Sequence, residues 1–232
     1  TPTLDRARWE RILDLLIERK VGTKILMETR VDDILRDEDI LWKYKDALID
    51  HIYVGVEATT QATLDVFNKN IKVEDSKRAL ELINEYDIVS ETSFVLGMPD
   101  DTIESIKNTV ELAKFYNPDL AFFLAIAPWP YSEIYPELKE HVTVFDYRKY
   151  NLVEPVLKPR NMSLQEVERE LSHASRDFYM HKMSTLDSMT PRKREFIVKV
   201  VHIIATSSYL AKTMKGAMPQ DVKRMLEKIS VS

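Results

Sequence analysis

Four short apolar segments alternate with helical periodicity in the first half of the chain, and this alternation constrains the fold most. The segments are residues 24–31, 51–57, 89–96 and 120–127. Strands that are apolar along their whole length are typical of a parallel sheet with both faces buried, in which helices form the crossovers. The sequence therefore predicts an α/β fold. An open doubly wound sheet and a closed or partly closed (β/α) barrel both fit the pattern.

The helical segments are marked by capping residues and by apolar residues three to four positions apart. The pattern predicts a first helix from an Asp5 N-cap to a Gly22 C-cap, and a second over residues 37–49 with Leu48 facing inward. Further helices are expected at 60–68, 73–86, 102–116, 163–182, 191–215 and from Pro219 onward.

The character of the chain changes after Pro136, where prolines and tyrosines become frequent and periodicity weakens. We expect two regions, a barrel portion over 1–136 and a helical C-terminal region over 137–232. The run Arg192-Lys193-Arg194 is typical of a solvated helix start, and contact with a membrane surface or a partner is the alternative. The apolar stripe of the same helix is expected to pack against the barrel or against another domain of the protein.

The chain contains no cysteine and only four glycines. It therefore holds no disulfide, no thiol nucleophile and no thiolate ligand for zinc or an iron–sulfur cluster. It also lacks the glycines of a Walker or GxGxxG loop. The five histidines are dispersed, so we expect no metal site. We further expect a cytoplasmic location, no nucleic-acid partner, no membrane association, and, from the start at Thr1, a fragment of a longer protein.

Polar and aromatic residues follow the apolar segments where the carboxyl ends of parallel strands meet. Arg30 can hold a carboxylate with its two-pronged guanidinium, and Glu57 can accept hydrogen bonds from ribose hydroxyls or an ammonium group. Gly97 lets a flat ligand approach the backbone because it has no Cβ. The alternative is that Arg30 and Glu57 pair only with each other or with neighbours. Trp129 and Tyr131 follow the fourth segment.

Several segments together carry a family resemblance through their composition and spacing. They are Thr1-Pro2-Thr3, Thr29-Arg30-Val31-Asp32, Val54-Gly55-Val56-Glu57, and Phe94-Val95-Leu96-Gly97-Met98-Pro99 followed by Asp101-Thr102. Over roughly residues 1–215 the chain resembles the C-terminal half of radical S-adenosylmethionine (SAM) enzymes, in the group with an N-terminal cobalamin-binding domain. The segments 127–131 and 147–155 are similar to anaerobic magnesium-protoporphyrin IX monomethyl ester oxidative cyclases.

This resemblance implies the C-terminal half of a partial (β/α)6 barrel, holding the last four strands and followed by helices. The family's CxxxCxxC cluster loop and its glycine-rich element both lie before that half, and this chain has neither. By itself the chain is therefore expected to hold no [4Fe-4S] cluster, to cleave no SAM reductively and to be inactive.

The resemblance also implies that six residues form the second half of a SAM site. Glu57 matches a position that contacts the ribose or the carboxylate, and Lys69 one that faces the methionine carboxylate. Ser93 matches a ribose-side position. The remaining three are Leu96 and Gly97, whose backbone would lie beside adenine, and Arg30, which would face either SAM or substrate.

In the full-length protein, the resemblance implies a 5′-deoxyadenosyl radical that abstracts hydrogen from a porphyrin side chain. The cofactors implied are SAM, a [4Fe-4S] cluster and cobalamin, the last two held by upstream portions of the same protein. Pro-Trp-Pro-Tyr stands where many relatives have Pro-x-Pro-Gly-Thr, which favours a flat aromatic substrate stacking on Trp129 or Tyr131. The alternative is that Trp129 simply caps the barrel.

Two other functions remain open from the sequence. One is a cobalamin-dependent radical SAM methyltransferase with a different substrate. The other, from a different class, is a non-catalytic (β/α) binding module that never had a cluster loop.

Overall fold

The computed structural model describes residues 1–56 and 73–206, and within them four parallel strands form one sheet. The strands are β1 Ile25–Arg30, β2 Ile49–Gly55, β3 Val89–Leu96 and β4 Leu120–Ala125. The α/β class is confirmed. Each strand pairs with the next in sequence, in the order β1-β2-β3-β4. That order has no switch point of the doubly wound kind and favours the barrel alternative.

Helices of the described part precede, connect and follow these strands. They are α1 Arg6–Glu18, α2 Val31–Arg36, α3 Leu41–Asp46, α4 Val73–Glu85, α5 Ile103–Tyr116, α6 Tyr135–Leu138, α7 Leu164–Ser184 and α8 Pro191–Thr206. The predicted capping box of α7 is confirmed, since Ser163 and Glu166 satisfy each other's backbone amides. No helix among these residues combines the length and apolar character that crossing a bilayer requires.

The two faces of the sheet have different surroundings. On one face Phe94 of β3 stacks on Phe123 of β4 at 5.4 Å, and Phe123 meets Phe178 of α7 edge-on at 6.1 Å. That face packs against the helices and forms the hydrophobic core with them. The other face carries Arg30, Tyr53 and Ser93, and we call it the polar face. The registers Glu28↔Tyr53, Arg30↔Gly55 and Ser93↔Phe122 place these residues on one side.

The predicted end of the first helix at Gly22 is wrong. The helix ends at Glu18, and Lys20 adopts the left-handed conformation, with φ at 50°, that closes a helix C-terminus. The amide of Val21 then donates to the carbonyl of Leu16. Gly22 therefore lies in the connection after the cap.

The predicted helix over 37–49 is formed only in part. Glu38–Ile40 form a 3-10 turn, and the α-helix of this segment, α3, covers Leu41–Asp46. Asp37 separates these two elements from α2. Its fully buried carboxylate accepts from the Arg36 guanidinium at 2.7 Å and from the Tyr44 hydroxyl at 2.8 Å. The chain forms α2 before this residue and α3 after it. Leu48, expected to face inward, has φ at 61° and is 40% exposed, since it belongs to the turn that closes α3.

The basic run at the start of α8 is docked against the barrel through Arg192 and Lys193, whereas the Arg194 side chain is 44% exposed, as a solvated helix start would be. Arg192 bridges Asp50 and Asp87, and the ammonium of Lys193 is buried beside Asp119. These acidic residues lie at the amino-terminal ends of β2, β3 and β4. The run thus closes the end of the sheet opposite to the one expected to bind ligands.

The predicted apolar stripe of α8 packs as expected. Val198 and Val201 are buried in the same core as α1, the sheet and α7. A second apolar cluster, formed by Ala127, Val142, Tyr150 and Val156, lies beyond the end of β4. The division at residue 136 into two regions stays a prediction.

Candidate functional site

A short hydrogen bond joins Tyr53 and Ser93 on the polar face of the sheet. The Tyr53 hydroxyl lies 2.5 Å from Ser93 Oγ, and Ser93 is 4% exposed. Two residues earlier on each of the same strands, His51 Nε2 lies 2.6 Å from the carboxylate of Glu91. The register Tyr53↔Glu91 makes these four residues neighbours on adjacent strands. Ser93, predicted as a ribose-side residue, therefore has an oriented hydroxyl.

Arg30 ends β1 on the same face. Its guanidinium lies 3.0 Å from Asp32, and the two side chains are about half exposed, at 51% and 48%. The pairing with a neighbour that the sequence left open is therefore present. An exposed ion pair contributes little stability, because water screens both charges. The guanidinium can thus exchange Asp32 for an anionic ligand at small cost.

The loop after β3 is organised by Asp101. Its Oδ2 accepts hydrogen bonds from the amides of Gly97 at 2.8 Å and Met98 at 2.9 Å, while its Oδ1 accepts from the Ser105 hydroxyl. The carbonyl of Leu96 accepts from the amide of Ile126. These hydrogen bonds hold the loop beside the predicted adenine position. Asp101 is therefore a positioning residue; it was part of the sequence motif, but the sequence did not indicate this role.

The structure explains the glycine at position 97 differently from the sequence, which predicted that a flat ligand approaches its backbone. The φ of Gly97 is 85°, a conformation that side chains rarely adopt. A Cβ there would lie 3.1 Å from Val167 Cγ1 of α7. Backbone conformation and close helix packing therefore account for this glycine, while approach of a ligand to its backbone stays a prediction.

Trp129 and Tyr131 follow β4 and lie side by side. Their rings are nearly parallel, with a 16° interplanar angle and centroids 6.5 Å apart. With Pro130 and Tyr147 they line an open groove of about 460 Å³. The sequence predicted the first two as substrate-binding residues; Tyr147 was missed because it comes from the irregular segment after residue 136.

The family motifs at the start of the chain and after β1 meet in a buried network. Thr3 Oγ1 lies 2.8 Å from Thr29 Oγ1 and donates to Asp33 Oδ2 at 2.6 Å. Arg36 reaches both Asp33 and the carbonyl of Thr3. These threonines therefore anchor the chain before α1 against the end of β1, which is a structural role.

Two predicted residues, Glu57 and Lys69, lie outside the described ranges. Among the described residues no group of three histidine, aspartate or glutamate side chains is placed to hold a metal ion. The candidate site therefore consists of three parts, which are the polar face of the sheet and, after the carboxyl ends of β3 and β4, the Asp101-held loop and the aromatic groove.

Comparison with known proteins decides the family. Residues 1–113 match the sequence profile of the Radical SAM superfamily. The chain belongs to the radical SAM superfamily. An anaerobic magnesium-protoporphyrin IX monomethyl ester cyclase of Rubrivivax gelatinosus is 38% identical over 181 residues, which are 78% of this radical SAM chain and 33% of that protein. A bacteriochlorophyllide d C-8(2)-methyltransferase of Chlorobaculum tepidum is 26% identical over 213 residues, or 90% and 46%.

The radical SAM chain thus spans between a third and a half of these two curated relatives. A solved structure of the radical SAM methyltransferase TsrM from Kitasatospora setae, with tryptophan substrate and a SAM analog bound, has a TM-score of 0.55. At 17% identity, covering 78% of this chain and 41% of that one, the likeness concerns the fold. The expected partial barrel with C-terminal helices is confirmed.

Proposed function

We propose that this chain is the C-terminal portion of a radical SAM oxidative cyclase that acts on a magnesium-porphyrin methyl ester. The observation that carries the proposal is the 38% identity to the Rubrivivax cyclase over 78% of the chain. The position of Arg30, Gly97 and Trp129 at or after the carboxyl ends of their parallel strands supports it. A cytoplasmic location remains part of the proposal.

The residues present fit part of a SAM site. The oriented hydroxyl of Ser93 suits a ribose hydroxyl, and the exposed guanidinium of Arg30 suits a carboxylate. We assign Glu57 and Lys69 to the same site on the resemblance alone. The backbone of Leu96 and Gly97, held by Asp101, forms the proposed adenine side.

The residues present do not fit a [4Fe-4S] cluster, because the chain has no cysteine. The proposal assigns the cluster and cobalamin to other portions of the same protein, where SAM and the cluster would supply the radical chemistry. This chain's share is to orient SAM and substrate and to form the wall of the barrel.

A chimera tests this proposal. The corresponding segment of the Rubrivivax cyclase is replaced by this chain, and the purified chimera is reconstituted with iron, sulfide and cobalamin under anaerobic conditions. We expect 5′-deoxyadenosine and a cyclised porphyrin when SAM, reductant and magnesium-protoporphyrin IX monomethyl ester are supplied. A folded chimera that binds SAM but yields no cyclised product would contradict the cyclase assignment.

The methyltransferase alternative has support from the Chlorobaculum relative at 26% identity. The two reactions differ in the product. A methyltransferase transfers a methyl group from SAM to its substrate, so SAM with a deuterated methyl group adds mass to the product. A cyclase product carries no such label. A chimera that binds neither SAM nor porphyrin would favour the non-catalytic binding module.

A further inference from the structure

The aromatic groove is built from two separate segments of the chain. Trp129 and Tyr131 form one wall, and the turn that carries them is closed by Ser132, whose amide and hydroxyl both donate to the Trp129 carbonyl, at 2.9 and 2.7 Å. Tyr147 forms the other wall from a short 3-10 turn over Tyr147–Lys149. Nothing in the local sequence connects the two walls.

Both walls rest on the second apolar cluster. Trp129 packs directly against it. Tyr147 meets Tyr150 edge-on at 5.2 Å, and Tyr150 is a buried member whose hydroxyl donates to the Val144 carbonyl at 3.1 Å. Trp129 and Tyr147 are therefore held by packing before any ligand arrives, so ordering these two side chains on binding costs little entropy.

The exposed ring of Tyr131 shows that this groove is open to a ligand. Tyr131 is 85% exposed and Tyr147 is 62% exposed. Large aromatic rings that are exposed together mark binding surfaces more often than isolated ones do. Among the residues that the structure describes, the lining consists of three aromatic rings and a proline, without a charged side chain. Such a lining gains most from a flat, extended π system and little from a small polar metabolite.

The size and place of the groove also suit a macrocycle. Its volume of about 460 Å³ lies within the range of ordinary small-molecule sites. Trp129 and Tyr131 come shortly after β4 ends at Ala125, and Gly97 comes directly after β3 ends at Leu96, so both segments follow the carboxyl ends of strands.

We infer that Trp129, Tyr131 and Tyr147 form a stacking site for a planar tetrapyrrole. The choice of a tetrapyrrole among flat ligands rests on the proposed function. The stacking arrangement of the three rings is independent of the proposed function.

The test is a titration of the 232-residue chain with magnesium-protoporphyrin IX, in which the change in the porphyrin absorption band measures binding. We expect saturable binding that weakens at least tenfold in Tyr147→Ala and in Tyr131→Ala, while Tyr147→Phe keeps the ring and stays within about twofold of the unmodified chain. Phe145→Ala is the matched control, because Phe145 is 67% exposed in the same segment but does not line the groove. Circular dichroism checks that each variant is folded.

Unchanged binding in both alanine variants would overturn the inference, and so would an equal loss in Phe145→Ala or an absence of saturable binding. Free tryptophan competing more tightly than the porphyrin would overturn the ligand class. The chimera separates this inference from the proposed function. Cyclised product with a KM unaffected by Tyr147→Ala would remove the inference alone, whereas groove binding without cyclised product would remove the proposed reaction alone.

Discussion

The ammonium of Lys193 lies 2.7 Å from the carboxylate of Asp119, and the two side chains are only 2% and 6% exposed. Asp119 also accepts from the amide and hydroxyl of Ser90, and Lys193 also donates to Asn84 at 2.8 Å. One buried ion pair therefore ties α8 to the amino-terminal edge of β3 and β4.

Breaking this pair is expected to be costly. Lys193→Met leaves the Asp119 charge buried without its cation, which costs about 3–5 kcal/mol in comparable sites. Chemical denaturation measures the loss. Lys199→Ala is the control on the same helix, since Lys199 and Glu195 are both more than half exposed, and it should change stability by less than about 0.5 kcal/mol. Equal effects of the two variants would show that the Lys193 pair is not buried in solution.

Lys182 is expected to make stability depend on pH in the alkaline range. Burial lowers the pKa of Lys182 to about 8, from an ordinary 10.5. Between these values the unfolded chain holds a proton that the folded chain has released, so stability rises with pH across that window. Below about pH 8 both states are protonated and this contribution is constant.

The difference between the unmodified chain and Lys182→Met isolates this contribution from other titrating groups. Urea unfolding at pH 7.5, 9 and 10 should show the unmodified chain gaining stability relative to the variant. A difference that stays constant over this range would mean that Lys182 titrates normally in the folded chain.

Gly97→Ala is expected to destabilise the protein by about 1–3 kcal/mol, the cost of a strained backbone residue. The physical reasons are the positive φ and the contact of 3.1 Å that the new Cβ would make with Val167. Gly22→Ala is the control, because nothing lies within 4 Å of its Cβ position. Thermal unfolding compares the melting temperatures of the two variants. Equal melting temperatures for Gly97→Ala and Gly22→Ala would contradict the positive φ at Gly97.

Asp101→Ala should loosen the loop after β3 and lower stability by about 1–3 kcal/mol, because two amides and a hydroxyl lose their acceptor. Asp100→Ala is the neighbouring control, since the Asp100 side chain is 83% exposed. Hydrogen exchange at the amides of Gly97 and Met98 should speed up only in the first variant. Protection that survives Asp101→Ala would assign these amides to other acceptors.

Anaerobic reconstitution of the isolated 232-residue chain with iron and sulfide should yield no iron–sulfur absorption, since no thiolate is present. The chimera with the Rubrivivax segments serves as the positive control. Stoichiometric iron bound as a [4Fe-4S] cluster to the chain alone would contradict the expectation.

Much of the fold was predictable from local sequence. The apolar segments correspond to β1–β4, and the bounds predicted for β3, residues 89–96, match those observed. The Ser163 and Glu166 capping box also formed as expected. These features depend on residues within a few positions of one another. The lack of cysteine likewise decides by composition alone that this chain supplies no thiolate.

Tertiary structure decided what depends on residues far apart in the chain. Lys193 in a basic run is typical of solvent exposure, yet Asp119, 74 positions away, makes its burial favourable. The hydroxyl of Ser93 is oriented by Tyr53 on the neighbouring strand β2. Tyr147 lines the groove only because the fold brings it beside Trp129. The physical reason is that burial and pairing depend on which side chains the strand order brings together, and periodicity along one segment does not contain that information.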